Sequence, residues 1–192
     1  ETEFKVTPEQ IRNAMTDRTR LVVLNSPSNP SGKAYSLEEL SEIGKVLEER
    51  PDVMIATDDM YEHILWNGKF ANIVNATPSL KDRTFVLNGV SKAYSMTGWR
   101  IGYAAGPADA IGAMKKIQSQ STSNPASISQ AAATAALNGP QECVTEMLNA
   151  FRERHDYVVE ALNKLPGVTC LPSDGTFYAF PGFQGAIEAT EG

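Results

Sequence analysis

Short apolar runs alternate with segments of helical periodicity along this chain, and each run ends in polar residues. Leu21-Val22-Val23-Leu24 leads into Asn25 and a Ser/Pro/Asn-rich loop ending at Gly32. Val53-Met54-Ile55-Ala56-Thr57 stops at Asp58-Asp59, and Thr84-Phe85-Val86-Leu87 stops at Asn88-Gly89. Continuous apolar runs of this length predict strands buried on both faces. Between them, Ser36-Leu37-Glu38-Glu39 reads as a capping box, followed by a stripe of Leu37, Leu40, Ile43 and Leu47 up to Pro51. Thr7-Pro8-Glu9-Gln10 is a second helix start, for a short helix through Met15. The alternation predicts an α/β fold with a largely parallel sheet.

Further on, Ile101-Gly102-Tyr103-Ala104 reads as a fourth strand, and helices are expected over 109–119, 128–137 and, at greater length, 141–164. Val168-Thr169-Cys170 and Thr176–Phe180 read as a strand pair around a turn at Asp174-Gly175. The sequence opens on Glu1 and stops at Gly192 in mid-pattern, so a piece of a longer polypeptide is expected.

Charge and composition narrow the function classes. The formal net charge of −6 argues against a nucleic-acid or anionic-membrane surface. No apolar run approaches the roughly 18–20 residues of a membrane span, and the first residues lack a signal-peptide layout. The 2 cysteines, Cys143 and Cys170, lack metal-ligand spacing and read as free thiols of a cytoplasmic protein. The 2 histidines also lack a metal partner at useful spacing; His63 is expected to pack and His155 to be solvated. No metal site is expected.

Ligands of parallel α/β sheets collect at the carboxyl ends of strands. The polar residues there are Asn29, Asp58 with Tyr61 just beyond, and Ser91-Lys92, with Arg100 after the flexible Gly98. Singly, each has an ordinary explanation: turn residue, helix cap, core aromatic, solvated charge. Jointly they match the demands of pyridoxal 5′-phosphate (PLP). A lysine forms a Schiff base and moves a proton, and a carboxylate keeps the pyridine nitrogen protonated. Hydrogen-bond donors hold the phenolate oxygen, and cations hold the phosphate. Lys92, Asp58, Tyr61 with Asn29, and Arg100 are the respective candidates.

The same residues carry a resemblance to fold-type I, class I aminotransferases, the aspartate aminotransferase family. Asn25-Ser26-Pro27-Ser28-Asn29-Pro30-Ser31-Gly32 resembles the family's N-P-x-N-P-[ST]-G loop. Ala56-Thr57-Asp58-Asp59-Met60-Tyr61 is similar to its [SA]-D-E-x-Y strand end. Ser91-Lys92 through Gly98, Arg100 and Gly102 follows the lysine motif S-K-x5-G-x-R-x-G. The stretch Gln118–Asn124 with Ser129-Gln130, and Gly175-Thr176-Phe177-Tyr178, also resemble family segments. The lysine segment most resembles bacterial enzymes acting on aspartate and, in some members, prephenate.

The resemblance implies a PLP-transferase large domain, three-layered and partial, over 1–145. It implies a connecting helix and the start of a small α+β domain over 146–192. Lys92, Asp58 and Tyr61 are implied as catalytic, with Asn29, Ser91 and Arg100 joining them around the cofactor. Asn124 is implied to reach a neighbouring site across a homodimer, and the Asn29-Pro30 bond to be cis. Gly89 stands where many members place a phosphate-binding serine. The family's phosphate loop, its ring-stacking aromatic and its substrate-carboxylate arginine are expected outside these residues, which predicts an inactive isolated segment. The implied reaction moves an amino group between a dicarboxylic amino acid and a 2-oxo acid. Two other readings stay open: a PLP-dependent carbon–sulfur β-lyase, and an aminotransferase-like effector domain of a transcription regulator.

Overall fold

A computed structural model describes residues 2–190; Glu1 and Gly192, which carried the expectation of an open-ended chain, lie outside the described residues. Four strands form one sheet in the order β1 (Leu21–Asn25), β2 (Met54–Asp58), β3 (Thr84–Gly89) and β4 (Gly102–Ala105). The first three run parallel, and β4 lies antiparallel to β3. The fold is mixed α/β with a mostly parallel sheet flanked by helices, as the alternating pattern predicts.

Both expected capping boxes form. Thr7 Oγ1 accepts from Gln10 N at 3.2 Å and Gln10 Oε1 accepts from Thr7 N at 2.8 Å, starting α1 (Pro8–Ala14). Ser36 and Glu39 exchange the equivalent bonds at 3.1 and 2.8 Å and start α2 (Leu37–Glu48). These pairs satisfy N–H groups that a helix start leaves open. The stripe of α2, except Leu37 at its exposed start, is then buried against the sheet and against α3 (Ile73–Ala76). Leu40, Ile43, Val46 and Leu47 join Ile11, Leu24, Ile55, Ile73 and Leu80 in one core. The short α3 and the 3-10 turn Pro78–Arg83 behind it have no periodic signature in the sequence.

The expectation of strands buried on both faces fails for β1. Leu24 is buried, but Leu21 and Val23 are 51% and 61% exposed. Neighbouring side chains of a strand point to opposite faces, and among the described residues helices cover only the Leu24 side.

Helices α4 (Ala108–Ser121), α5 (Ser127–Asn138) and α6 (Glu142–Asn163) match the expected segments closely. α6 runs unbroken past residue 145, so the expected domain boundary falls inside a helix. A small hairpin, β5 (Thr169–Cys170) with β6 (Pro181–Gly182), and α7 (Gln184–Thr190) complete the described chain.

The strand expected over Thr176–Phe180 does not form. Thr169 and Cys170 pair instead with Gly182 and Pro181, while Gly175 makes an isolated bridge to Leu65. The backbone of this segment is already engaged: Asp174 N and Gly175 N donate to the Gly32 carbonyl at 2.9 and 3.1 Å, and Thr176 N donates to Ile64 O at 2.7 Å. Thr176 sits at φ +69°, outside the strand region. Gly32, at φ +68°, has the Ser173 side chain packed where a Cβ would project, so this position needs glycine on both counts.

Candidate active site

The carboxyl ends of β1, β2 and β3 lie side by side. Asn25 is in register with Asp58, and Asp58 with Leu87. Asn25 Nδ2 donates to the Asp58 carbonyl at 3.1 Å, and Asp59 N donates to Leu87 O at 2.9 Å. The chain leaves β3 into a tight turn in which Ser95 N donates to Lys92 O at 3.2 Å. Ser95, which closes this turn, and Arg100 beyond it are non-glycines in the left-handed region, at φ +53° and +49°. Such positions cost free energy and persist only where surrounding structure holds them. Ser95 Oγ is held against Met147 Sδ of α6 at 2.9 Å, and Tyr94 Oη donates to Gln141 Oε1 at 2.8 Å.

Lys92 is half-buried and lines a cavity of about 480 Å³ with Ser91, Phe151, Arg154, Phe177 and Tyr178. Its ammonium lies 5.4 Å from the Phe177 ring centroid. Among the described residues no carboxylate pairs with it. Tyr61 reaches this wall through Tyr178: the two hydroxyl oxygens are 2.6 Å apart. Tyr61 is 4% exposed. Burial, then the Tyr178 hydroxyl, pushes its pKa far above the ordinary tyrosine value, and the Asp58 charge adds to this. A phenol in that state is a hydrogen-bond donor at any physiological pH.

Asp58 sits at the end of β2, where its Oδ1 accepts from Met60 N at 3.2 Å. The other candidates lie further out. Asn29 is exposed, and its backbone N–H donates to Asn25 Oδ1 at 2.7 Å. Both Ser26-Pro27 and Asn29-Pro30 are cis. Arg100 is exposed and donates one N–H to the Thr97 carbonyl at 3.0 Å. The structure thus places Ser91 and Lys92 on one cavity wall, sets Tyr61 behind that wall against Tyr178, keeps Asp58 on the adjoining strand end, and leaves Asn29, Arg100 and Asn124 on the surface of the described chain.

Several structured polar groups near the site have no signature in the sequence. Asp59 is 2% exposed and accepts from Thr57 Oγ1 at 2.6 Å and Asn72 Nδ2 at 3.1 Å. With no cation beside it, burial pushes its pKa up to about 6. Glu62 accepts from Asn88 Nδ2 at 2.8 Å and faces His63. The His63 contact lowers the Glu62 pKa, and Glu62 in turn raises that of His63.

The two histidines exchange their expected environments. His63 is 44% exposed in its side chain, whereas His155 is 6% exposed and accepts from Ser173 N at 2.9 Å. His155 also packs on the Trp66 ring at 4.9 Å. The physical reason is the segment 173–176, which crosses over α6 and covers His155; helical periodicity alone cannot report such a crossing.

Residues 1–191 match the family described as aminotransferase class I and II. The chain belongs to that family. An aspartate/prephenate aminotransferase of Nitrosomonas europaea is 62% identical over 188 residues, covering 97% of this chain and 47% of that protein. An aspartate aminotransferase of Geobacillus stearothermophilus is 50% identical, over 93% of this chain and 45% of its own length. The crystal structure of the Rhizobium meliloti aspartate aminotransferase superposes with a TM-score of 0.93 at 51% identity, over 96% of this chain and 46% of that one. The chain therefore spans about half the length of the curated relatives it matches.

The aminotransferase family is PLP-dependent, and the residues present fit that group. An amine without an acidic partner faces a cavity, a buried phenol stands next to it, and a carboxylate ends the adjoining strand.

Proposed function

We propose that the whole protein carrying this chain transfers an amino group between a dicarboxylic amino acid of the aspartate/glutamate type and a 2-oxo acid. The observation that carries the reading is Lys92, an amine on a cavity wall directly after the third parallel strand, with Tyr61 and Asp58 at its flank. The substrate class comes from relatives named aspartate and aspartate/prephenate aminotransferases.

Bound PLP supplies an electron-withdrawing ring that stabilises negative charge on the substrate carbon. Lys92 Nζ is the covalent anchor and then the base that moves the proton at that carbon. Asp58 keeps the ring nitrogen protonated. Tyr61 and the Asn29 amide donate to the phenolate oxygen. Ser91 and Arg100 hold the phosphate; among the described residues Arg100 gives one of its five N–H donors to the protein, so a fork remains for a bidentate contact.

Residues up to 145 form the cofactor-binding domain in this reading, and 146–192 the connecting helix and the start of a small domain. A homodimer is part of the proposal. In its support, α4 buries none of its residues within the chain, and Ile117 and Ile128 are 70% and 71% exposed. No helix among the described residues is long and apolar enough to cross a membrane; a cytoplasmic enzyme is the proposed setting. The 192-residue chain alone is expected not to transaminate, and turnover of aspartate by it would refute that part.

The test is an absorbance spectrum of the whole protein with PLP, followed by product analysis with aspartate plus 2-oxoglutarate and, separately, cystathionine. A visible band that borohydride abolishes, and glutamate as product, are expected. Lys92→Ala should lose the band and lower transamination by at least 10²–10⁴-fold, the contribution typical of the proton-transfer step alone. A Lys92→Ala protein that keeps the band overturns the assignment.

A further inference from the structure

Tyr61 is half of a tyrosine pair. Its hydroxyl and that of Tyr178 are 2.6 Å apart, and the rings meet edge to face at 5.7 Å and 74°. Tyr178 is on the wall of the Lys92 cavity. Its placement is over-determined: Thr176 N is bonded to Ile64 O at 2.7 Å, Tyr178 N donates to Thr176 Oγ1 at 3.3 Å, and Phe177 packs on Tyr61 at 5.7 Å. The hydroxyl contact is thus a product of how segment 174–178 threads between Gly32 and Ile64.

Two hydroxyls that share a hydrogen bond use one proton between them and leave the other free. Either can be the donor, and the choice falls to whatever else the pair faces. An anionic oxygen beside Tyr61 accepts the hydrogen bond that Tyr61 donates, and Tyr178 is then the member of the pair that donates to Tyr61 Oη. Hydrogen bonds in such chains strengthen one another, because a phenol that accepts a bond becomes a better donor.

We infer that Tyr178 is a positioning residue: it donates to Tyr61 Oη, turning the Tyr61 proton toward the phenolate oxygen of the cofactor and strengthening that bond. The inference rests on the PLP reading above and assigns a role to a residue outside the strand-end motifs. It has a spectroscopic consequence. A stronger bond to the phenolate favours its more negative state, so it lowers the pH at which the Lys92–cofactor linkage loses its proton. Removing the Tyr178 hydroxyl must raise that midpoint.

The experiment is a pH titration of the visible band in the whole protein with PLP, for wild type, Tyr178→Phe, Tyr61→Phe and the double variant. Tyr178→Phe keeps the ring and its packing. Its midpoint should rise by about a few tenths of a unit, the cooperative fraction of one hydrogen bond. Tyr61→Phe should rise further, and the double variant should match Tyr61→Phe, since the effect of Tyr178 runs through Tyr61. Placing 3-fluorotyrosine at position 178, a better donor of nearly the same shape, should move the midpoint down.

A midpoint that ignores position 178, or a Tyr178→Phe shift that persists in the Tyr61→Phe background, overturns the role of Tyr178 and leaves the cofactor reading intact. A wild-type protein with no visible band overturns both.

Discussion

At the scale of single residues, Asp58 and Asp59 show how neighbouring carboxyls diverge. Strand pleating sends successive side chains to opposite faces. Asp58 ends β2 beside the Tyr61 turn, and Asp59 enters the protein between Thr57 and Asn72. Neither neighbour of Asp59 carries a charge, so two neutral hydrogen bonds offset only part of the lost hydration of the anion. Its native pKa of about 6 lies above the ordinary aspartate value of 3.8. The native state therefore holds this proton more tightly than the unfolded chain. The associated stability is present below pH 3.8 and is lost as pH rises through about 6. Relative to Asp59→Asn, wild type is expected to lose about 2 kcal/mol between pH 4 and 7. Denaturation midpoints of both proteins across that range measure it, and parallel curves would refute it.

At the scale of elements, α2 joins the sheet core to the short α3. Gly44 sits on its inner face, and a Cβ there would run into the Thr77 side chain, coming 2.7 Å from Thr77 Cβ. A glycine-to-alanine exchange inside a helix normally gains up to about 1 kcal/mol. Overpacking at a buried contact costs about 1–3 kcal/mol. Thr77 is buried at the end of α3, and its Oγ1 has no partner among the described residues. Its side chain is short and β-branched, with no flexible end to swing aside, so the steric cost wins. Gly44→Ala is expected to destabilise the protein by about 1–2 kcal/mol, read as a lowered chemical-denaturation midpoint with unchanged slope. A raised midpoint would show that α3 yields.

At the scale of the whole molecule, the segment 173–178 ties the long α6 helix to the loops of the sheet. His155 accepts from Ser173 N, Trp66 Nε1 donates to Ser173 O at 3.1 Å, and Asp174 Oδ2 accepts from Ala34 N at 3.0 Å. This lock holds Phe177 and Tyr178 over the Lys92 cavity. His155→Ala strands a buried N–H, at a cost of about 1–3 kcal/mol. Hydrogen exchange at the Ser173 amide and through Thr176 should accelerate by roughly 5- to 150-fold, the same free energy expressed as a local opening equilibrium. Exchange in β2 should stay as it was. Exchange accelerated equally everywhere would make His155 a general stability residue and deny the lock.

Local rules sufficed for much of this protein. Strand and helix identity, both capping boxes and the polar strand ends follow from period, cap chemistry and side-chain type, which act over a few residues and survive in any context. The family motifs around Asn29, Asp58 and Lys92 are legible for the same reason: each is a short run whose members neighbour one another along the chain. Tertiary contact decided the rest. It exposed Leu21 and Val23, buried His155, left His63 at the surface, unmade the strand expected at Thr176–Phe180, and brought Tyr178 onto Tyr61, a pairing across 117 positions of sequence. Burial and long-range hydrogen bonds depend on which distant segment arrives at a surface. That is set by the packing of the whole chain, and periodicity in one stretch carries no record of it.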